Sequence, residues 1–270
     1  NIDSDGDGRV DNVVFIVRGA ADGWNSLLWP HRWSLHDRYV YINGKRVYDF
    51  NFQLQDFLAN RNVGVICHEF FHTLGAPDLY HYTSNGISPA GTWDLMDTNP
   101  NPPQHMTAFM KWKYGDWIAS IPTISADGVY TLNPLTSSTG QCYRINSNNP
   151  SQYYVVEFRK KTGTYENSVP GSGLLVYRID TTCEYGNADG PPDELYVYRP
   201  GGTTTANGTI SSAHFSQETG RTQIYTGTNP SPFLQDGSPG NLYLCEIGSS
   251  AGNTMSFRLG PPFINFVPNP

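Results

Sequence analysis

Residues 68–78 read His68-Glu69-Phe70-Phe71-His72-Thr73-Leu74-Gly75-Ala76-Pro77-Asp78. They close a stretch, Leu54 to Leu74, whose apolar residues fall at helical spacing, with Val65, Ile66, Phe70 and Leu74 on the repeat. The spacing predicts a helix. On it His68 and His72, four residues apart, share one face one turn apart, and two imidazoles so placed can bind one zinc ion. Glu69 lies beside that face, where a carboxylate reaches a metal-bound water without ligating the metal. Gly75 permits the left-handed turn that ends a helix, and Pro77 blocks its continuation. The reversed chain can then bring Asp78 back as a third ligand. Three protein ligands and one open position are the pattern of a catalytic zinc site rather than a structural one. Further on, Thr92-Trp93-Asp94-Leu95-Met96-Asp97 sets Met96 18 residues after Asp78.

Outward from the motif, the first half is mixed. Val10 to Val17 is an apolar, β-branched run that predicts a buried strand. Tyr39 to Phe50 alternates around Asn43-Gly44, the strongest short hairpin signal. Gln104 to Ile118 reads as a second helix, with Met106, Phe109, Met110 and Trp117 as core anchors. After Ser120 short runs recur between turn signals: Val129–Leu132, Gln141–Ile145, Tyr153–Arg159, Leu174–Ile179, Leu195–Tyr198, Leu242–Ile247 and Met255–Leu259. Such spacing predicts a β-sandwich. The Gly-, Ser- and Thr-rich stretch from Pro200 to Gly240 is long for a plain loop and is expected to cover a face or an edge. The expected architecture is therefore α+β: residues 1–120 mixed, 121–260 an all-β sandwich, and 261–270 a linker or tail.

Composition agrees. A chain of 270 residues holds one large or two modest domains. Charged residues are 15%, against about 25% in an average soluble domain. With 27 Gly, 20 Pro and 13% aromatics, disorder and a helical bundle are both excluded. The net charge of −7 argues against a nucleic-acid partner, since phosphate affinity comes from Lys and Arg. No apolar run reaches the ~18 residues of a membrane span. The chain opens at Asn1 without a leader peptide, and a processed or excised piece is the expected reading. Cys67, Cys142, Cys183 and Cys245 include no Cys-x-x-Cys pair; buried thiols and one disulfide in the C-terminal half both remain open.

A second metal site is suggested by Asp3, Asp5, Asp7 and Asp11 with Gly8. They fit the first half of a calcium loop, although Val14 stands where the bidentate Glu belongs. His36, His81, His105 and His214 sit in no ligand spacing and read as surface or satisfied polar residues. Asn207-Gly-Thr is a glycosylation sequon, relevant only in a eukaryotic secretory pathway.

HExxHxxG with a later Met resembles the metzincin metallopeptidases. GAPDLY, with Asp78 in the third-ligand position, resembles the immune inhibitor A family of secreted bacterial metallopeptidases; snapalysin, from a separate family, has a similar aspartate form. The likeness extends to DSDGDGRVDNVVFIVRGA from Asp3, WPHRW at Trp29–Trp33, CHEFFH from Cys67 and KWKYGDW at Lys111–Trp117. It continues in YYVVEFRKKTG and VPGSGLLVYRID, which resemble the β-domain that follows the catalytic domain in that family. The resemblance implies a metzincin-like zinc domain followed by a β-sandwich, secreted or at the cell surface. It assigns His68, His72 and Asp78 as zinc ligands, Glu69 as general base and Met96 as the apolar floor beneath the ligands. It implies an endopeptidase in which zinc acidifies water and polarises the scissile carbonyl. Tyr80, with Tyr82 nearby, is a candidate donor to the oxyanion. The peptide or protein substrate would lie extended along an edge strand, with Asn12–Arg18 and Trp29–Trp33 as candidate cleft walls. Two departures stand out. Most metzincins have a third His, and related domains carry a strand and a helix ahead of the Asp-rich segment, so that either the piece belongs to a longer chain or a separate upstream fragment of the same polypeptide completes the fold. The rival expectation is a β-sandwich binding or adhesion module on an inactive or incomplete peptidase scaffold.

Overall fold

A tight hairpin turn and a half-buried helix organise the N-terminal part. The computed structural model describes residues 1–19, 28–59, 63–83 and 85–262. Strands β1 (Val13–Val17) and β2 (His31–Ser34) precede a hairpin of β3 (Val40–Ile42) and β4 (Lys45–Val47), then β5 (Asp49–Leu54). Asn43 and Gly44 both take positive φ, 48° and 77°, the backbone that a two-residue hairpin turn requires. The sheet order is β1-β5-β2, with β1 parallel and β2 antiparallel to β5. Helices α1 (Gln55–Ala59) and α2 (Val63–Thr73) follow. The single helix expected over Leu54 to Leu74 is thus replaced in part, because Leu54 ends β5 as a fully buried strand residue. Helix α2 packs on β2 and β5. Asn12 and Asn51 both donate to Thr73 Oγ1, at 3.0 and 2.9 Å, tying the end of α2 to the sheet.

The second expected helix shortens to α3 (Ala108–Lys113). Beyond it come β6 (Gly128–Leu132), β7 (Cys142–Asn146), β8 (Gln152–Arg159), the short α4 (Gly163–Glu166), β9 (Gly173–Asp180), β10 (Leu195–Val197), β11 (Leu244–Cys245) and β12 (Met255–Leu259). They form two antiparallel sheets, β10-β9-β8-β7 and β11-β12-β6. The fold is mixed α+β, mostly sheet with few helices. Six of the seven expected strands have close counterparts; Leu242–Ile247 shrinks to the two residues of β11.

Strands β8 and β9 are buried at every position. Side chains alternate across a sheet, and here both faces are covered. Tyr153, Val155, Leu175, Tyr177, Ile179, Leu195 and Val197 join one core with Phe71, Leu79, Trp93, Leu95, Met96, Phe109 and Met110. Tyr154, Val156, Phe158, Leu174, Val176 and Tyr196 join the other, with Leu132, Phe257 and Leu244 from the second sheet. The stretch from Pro200 to Gly240 covers a face, contributing Phe215, Ile224, Phe233 and Leu234 to the second core. All four cysteines are unpaired thiols, Cys142 and Cys245 buried and Cys67 exposed. The expected tail lies outside the described residues from position 263 onward. Among the described residues no helix is long and apolar enough to cross a membrane.

Candidate metal centre

The end of α2 is set by its sequence. Gly75 adopts φ +95°, Gly75 N–H bonds the His72 carbonyl at 2.9 Å and Ala76 N–H bonds the Phe71 carbonyl at 3.2 Å. This is the paired capping pattern that a glycine just past a helix allows. The reversal carries Asp78 back over the helix. Asp78 Oδ1 lies 3.1 Å from His68 Nε2 and 3.3 Å from His72 Nε2, and the two Nε2 atoms are 3.1 Å apart. His68, His72 and Asp78 thus offer three ligand atoms to one point.

The far nitrogens of both rings are already committed. His68 Nδ1 bonds the Leu95 carbonyl at 3.0 Å and His72 Nδ1 bonds the Ala76 carbonyl at 2.7 Å. A carbonyl only accepts, so each Nδ1 carries the proton and each Nε2 turns a lone pair inward. Asp78 Oδ1 is buried without a hydrogen-bond partner. Three lone pairs facing one another repel unless a cation sits among them. Where a proton on the imidazoles takes the place of that cation, burial works to raise the Asp78 carboxyl, yet the two rings outweigh it and hold it below the usual carboxylate range. Burial likewise opposes a charged His68, and the Asp78 carboxylate outweighs it to raise the ring. Two nitrogens and one carboxylate oxygen, with space before them, suit zinc with an open coordination position.

That space is a cleft of about 690 Å³. Its walls include Glu69, Tyr80 and Tyr82 on one side and Trp29–Trp33 on the other. Among the described residues strand β2 is an edge strand, and His31, Arg32 and Trp33 of it line the cleft. Asn12–Arg18 is not part of this wall; β5 separates β1 from β2. Glu69 is buried, at 8% exposure, yet reaches the cleft surface. Tyr82 donates its hydroxyl to Asp78 Oδ2 at 2.6 Å, which commits it to that carboxylate. Tyr80 stacks beside His68, with ring centroids 6.5 Å apart. Desolvation and the nearby carboxylates keep both phenols protonated by raising them above their ordinary range.

Met96 is fully buried, and its carbonyl accepts from Leu79 N–H at 2.9 Å. Its segment is held by one local bond and by groups farther away in sequence. Asp94 accepts from Met96 N–H at 2.9 Å and Thr107 N–H at 2.7 Å. Arg159, fully buried on β8, donates to the Trp93 carbonyl and grips Glu166 through two bonds of 2.8 and 2.7 Å. Glu157 accepts from Ala108 N–H and the Tyr177 hydroxyl. The Asp94–Met96 bond is local, but the bonds of Arg159 to Trp93 and of Glu157 to Ala108 join distant segments, and charged residues inside an apolar strand pattern are the one sequence hint of them.

In the Asp-rich loop, Asp3, Asp5 and Asp11 converge. Asp7 stands apart and accepts from Arg9 N–H at 2.8 Å. Asp3 is buried and its Oδ1 has no partner, while Lys45 Nζ lies 2.5 Å from its Oδ2. His81 is a satisfied polar residue, 2.6 Å from Asp193.

Residues 6–102 match the family model described as Immune inhibitor A peptidase M6, catalytic domain. That span contains α2, Asp78 and Met96. Immune inhibitor A of Bacillus thuringiensis subsp. alesti is 28% identical over 141 residues, covering 41% of this chain and 20% of the relative. The chain thus matches about a fifth of that relative's length. Across residues 6–102 the chain therefore carries the sequence pattern of the immune inhibitor A peptidase family.

Proposed function

We propose that the protein is a zinc-dependent endopeptidase that hydrolyses extracellular proteins, secreted or at the cell surface. The observation that carries the reading is the convergence of His68 Nε2, His72 Nε2 and the unpartnered Asp78 Oδ1 at the floor of an open cleft. These three residues would hold zinc, which when bound supplies a Lewis acid that polarises a carbonyl and acidifies water. Glu69 accepts the proton of the attacking water at its carboxylate and passes it to the departing amine. Tyr80, at the cleft wall, is the candidate donor to the developing oxyanion. The edge that β2 presents among the described residues would align an extended peptide by strand addition. The mixed sheet with α2 is read as a metzincin-like catalytic part, and β6 to β12 as the β-sandwich after it. Calcium, which prefers carboxylate oxygens, is the candidate ion for Asp3, Asp5 and Asp11.

Glu69→Ala tests the assignment. The variant should keep zinc stoichiometry and fold while casein or gelatin cleavage falls by at least about 10²-fold, the scale of lost general-base catalysis. A variant that still cleaves at the wild-type rate would overturn the role, and wild-type protein that binds no zinc would overturn the reading.

A further inference from the structure

The loop between β9 and β10, residues 181–194, clasps the segment that carries Asp78. Asn187 is fully buried. Its backbone N–H donates to the Asp78 carbonyl at 2.9 Å. Its side-chain Nδ2 donates to the next carbonyl, Leu79, at 3.0 Å, and to Leu195 O at 2.8 Å. Its Oδ1 accepts from Leu195 N–H at 3.1 Å, which anchors the residue to β10. One residue therefore grips the two consecutive carbonyls at and after Asp78. Its neighbours press the same segment. Gly186 has φ +73°, and a Cβ there would lie 2.3 Å from the Asp78 carbonyl oxygen. Ala188 O accepts from Tyr82 N–H at 2.9 Å, and Tyr82 is the residue whose hydroxyl holds Asp78 Oδ2. From the other side, Leu79 N–H donates to the Met96 carbonyl at 2.9 Å.

We propose that Asn187 is a positioning residue for the Asp78 ligand: through the Asp78 and Leu79 carbonyls it fixes the backbone from which Oδ1 reaches the two imidazoles. This rests on the zinc reading above. A buried asparagine that merely closed its own loop would need only Leu195 as partner. Here its backbone N–H and one side-chain N–H are spent on the ligand segment. Helix α2 fixes His68 and His72 through its own backbone, whereas Asp78 lies six residues past the helix's last ligand and depends on outside supports for its place. Groups that orient a ligand from outside the coordination sphere affect metal affinity by about 10–100-fold.

The test uses the full chain, wild type and Asn187→Ala, with Asn187→Ser as the milder variant. Zinc affinity is read by competition with a chromophoric chelator, ligand geometry by the visible bands of the Co²⁺-loaded protein, and folding by melting of the metal-free chain. The expected result is a zinc Kd about 10–100-fold weaker and shifted Co²⁺ bands in a variant that still melts cooperatively. A folded variant with wild-type Kd and Co²⁺ spectrum overturns the inference, even if its melting temperature falls, because loop bracing alone predicts that pattern. Should both variants fail to fold, hydrogen exchange on the wild-type chain decides. Zinc must then slow exchange at Asn187, whose N–H bonds the ligand carbonyl, and unchanged exchange overturns the inference. Wild-type protein that takes up no zinc would instead refute the zinc reading, a separate result that removes the inference with it.

Discussion

Asp94 has no exposure to solvent, and burial pushes its carboxyl up to about 6 from 3.8, against the two backbone N–H groups it accepts and the charge of Arg159. The sign follows from the direction of the shift. An acid whose folded value lies above its unfolded value favours the fold most when protonated. Its contribution is full below pH 3.8 and is lost as the pH rises through 6. A shift of about two units corresponds to roughly 3 kcal/mol. Asp94→Asn removes the titration and adds a constant penalty where its amide meets Thr107 N–H. The stability of wild type relative to the variant should therefore fall by up to about 3 kcal/mol between pH 4 and 7, measured by denaturant unfolding of the metal-free chains. A difference that stays flat over that range would count against the buried, proton-hungry carboxyl. At this scale the convergence of His68, His72 and Asp78 was legible and its supports were not. His68, His72, Gly75 and Asp78 follow from the geometry of one helical turn and one glycine. Tyr82 reads from the sequence only as a phenol near the cleft; that it bonds Asp78 depends on how the chain folds back after Pro77. Asp94, Arg159 and Asn187 act across gaps that no local pattern spans.

Helix α2 was legible at its C-terminus, where glycine chemistry decides the boundary, and misread at its N-terminus, where tertiary pairing does. Leu54 suits a helix by spacing, but it fits the register of β5 opposite Val17, and strand burial wins. Helix α3 is shorter than its apolar stripe suggests for a related reason. Its first turn has no side-chain cap from Thr107; Asp94, Glu157 and the Tyr177 hydroxyl take the N–H groups of Thr107, Ala108 and Phe109 instead. The start of the helix is fixed by carboxylates from elsewhere, which favour a helix N-terminus electrostatically. The packing of α2 gives a prediction whose sign runs against propensity. Gly64 lies in the helix, where alanine would ordinarily gain about 1 kcal/mol. A Cβ at this position would lie 2.2 Å from the Pro100 carbonyl oxygen and 2.8 Å from that of Asn99. Both are backbone atoms and must move with the 99–100 segment. Overpacking of this kind costs about 1–3 kcal/mol, more than propensity returns. Gly64→Ala should lower stability by about 1–2 kcal/mol and, on the proposed zinc assignment, weaken zinc binding, since α2 carries His68 and His72. A melting temperature at or above wild type would show that the segment yields freely.

The four-stranded sheet is the element on which the whole molecule depends, because each of its faces is the floor of a different core. On one face, Val155, Tyr177, Ile179, Leu195 and Val197 meet Phe71, Trp93, Met96, Phe109 and Met110. Fully burying each such side chain is worth about 1.5–3 kcal/mol. The same face supplies Arg159 to the Trp93 carbonyl and Glu157 to the first turn of α3, and the loop beyond β9 supplies Asn187 to the ligand segment. The change of pattern after Ser120 was visible as a shift from helical to strand spacing. That the later strands also wall the half that carries the candidate metal centre was hidden, because a strand buried on both faces reads as a continuous apolar run without naming its partners. Residues 1–120 expressed alone lose that wall. Trp93, Met96, Phe109 and Met110 would face water, and the Trp93, Asp78 and Leu79 carbonyls would lose their long-range donors. The burial lost is comparable to the 5–15 kcal/mol that stabilises a whole domain. The fragment should therefore show no cooperative thermal transition by near-ultraviolet circular dichroism, and its zinc affinity should fall to that of an unstructured histidine pair. Adding residues 121–270 in trans should restore both in part, since the missing contacts lie between the pieces. A 1–120 fragment that melts cooperatively and holds zinc as tightly as the full chain would show that the sheet is a separate module.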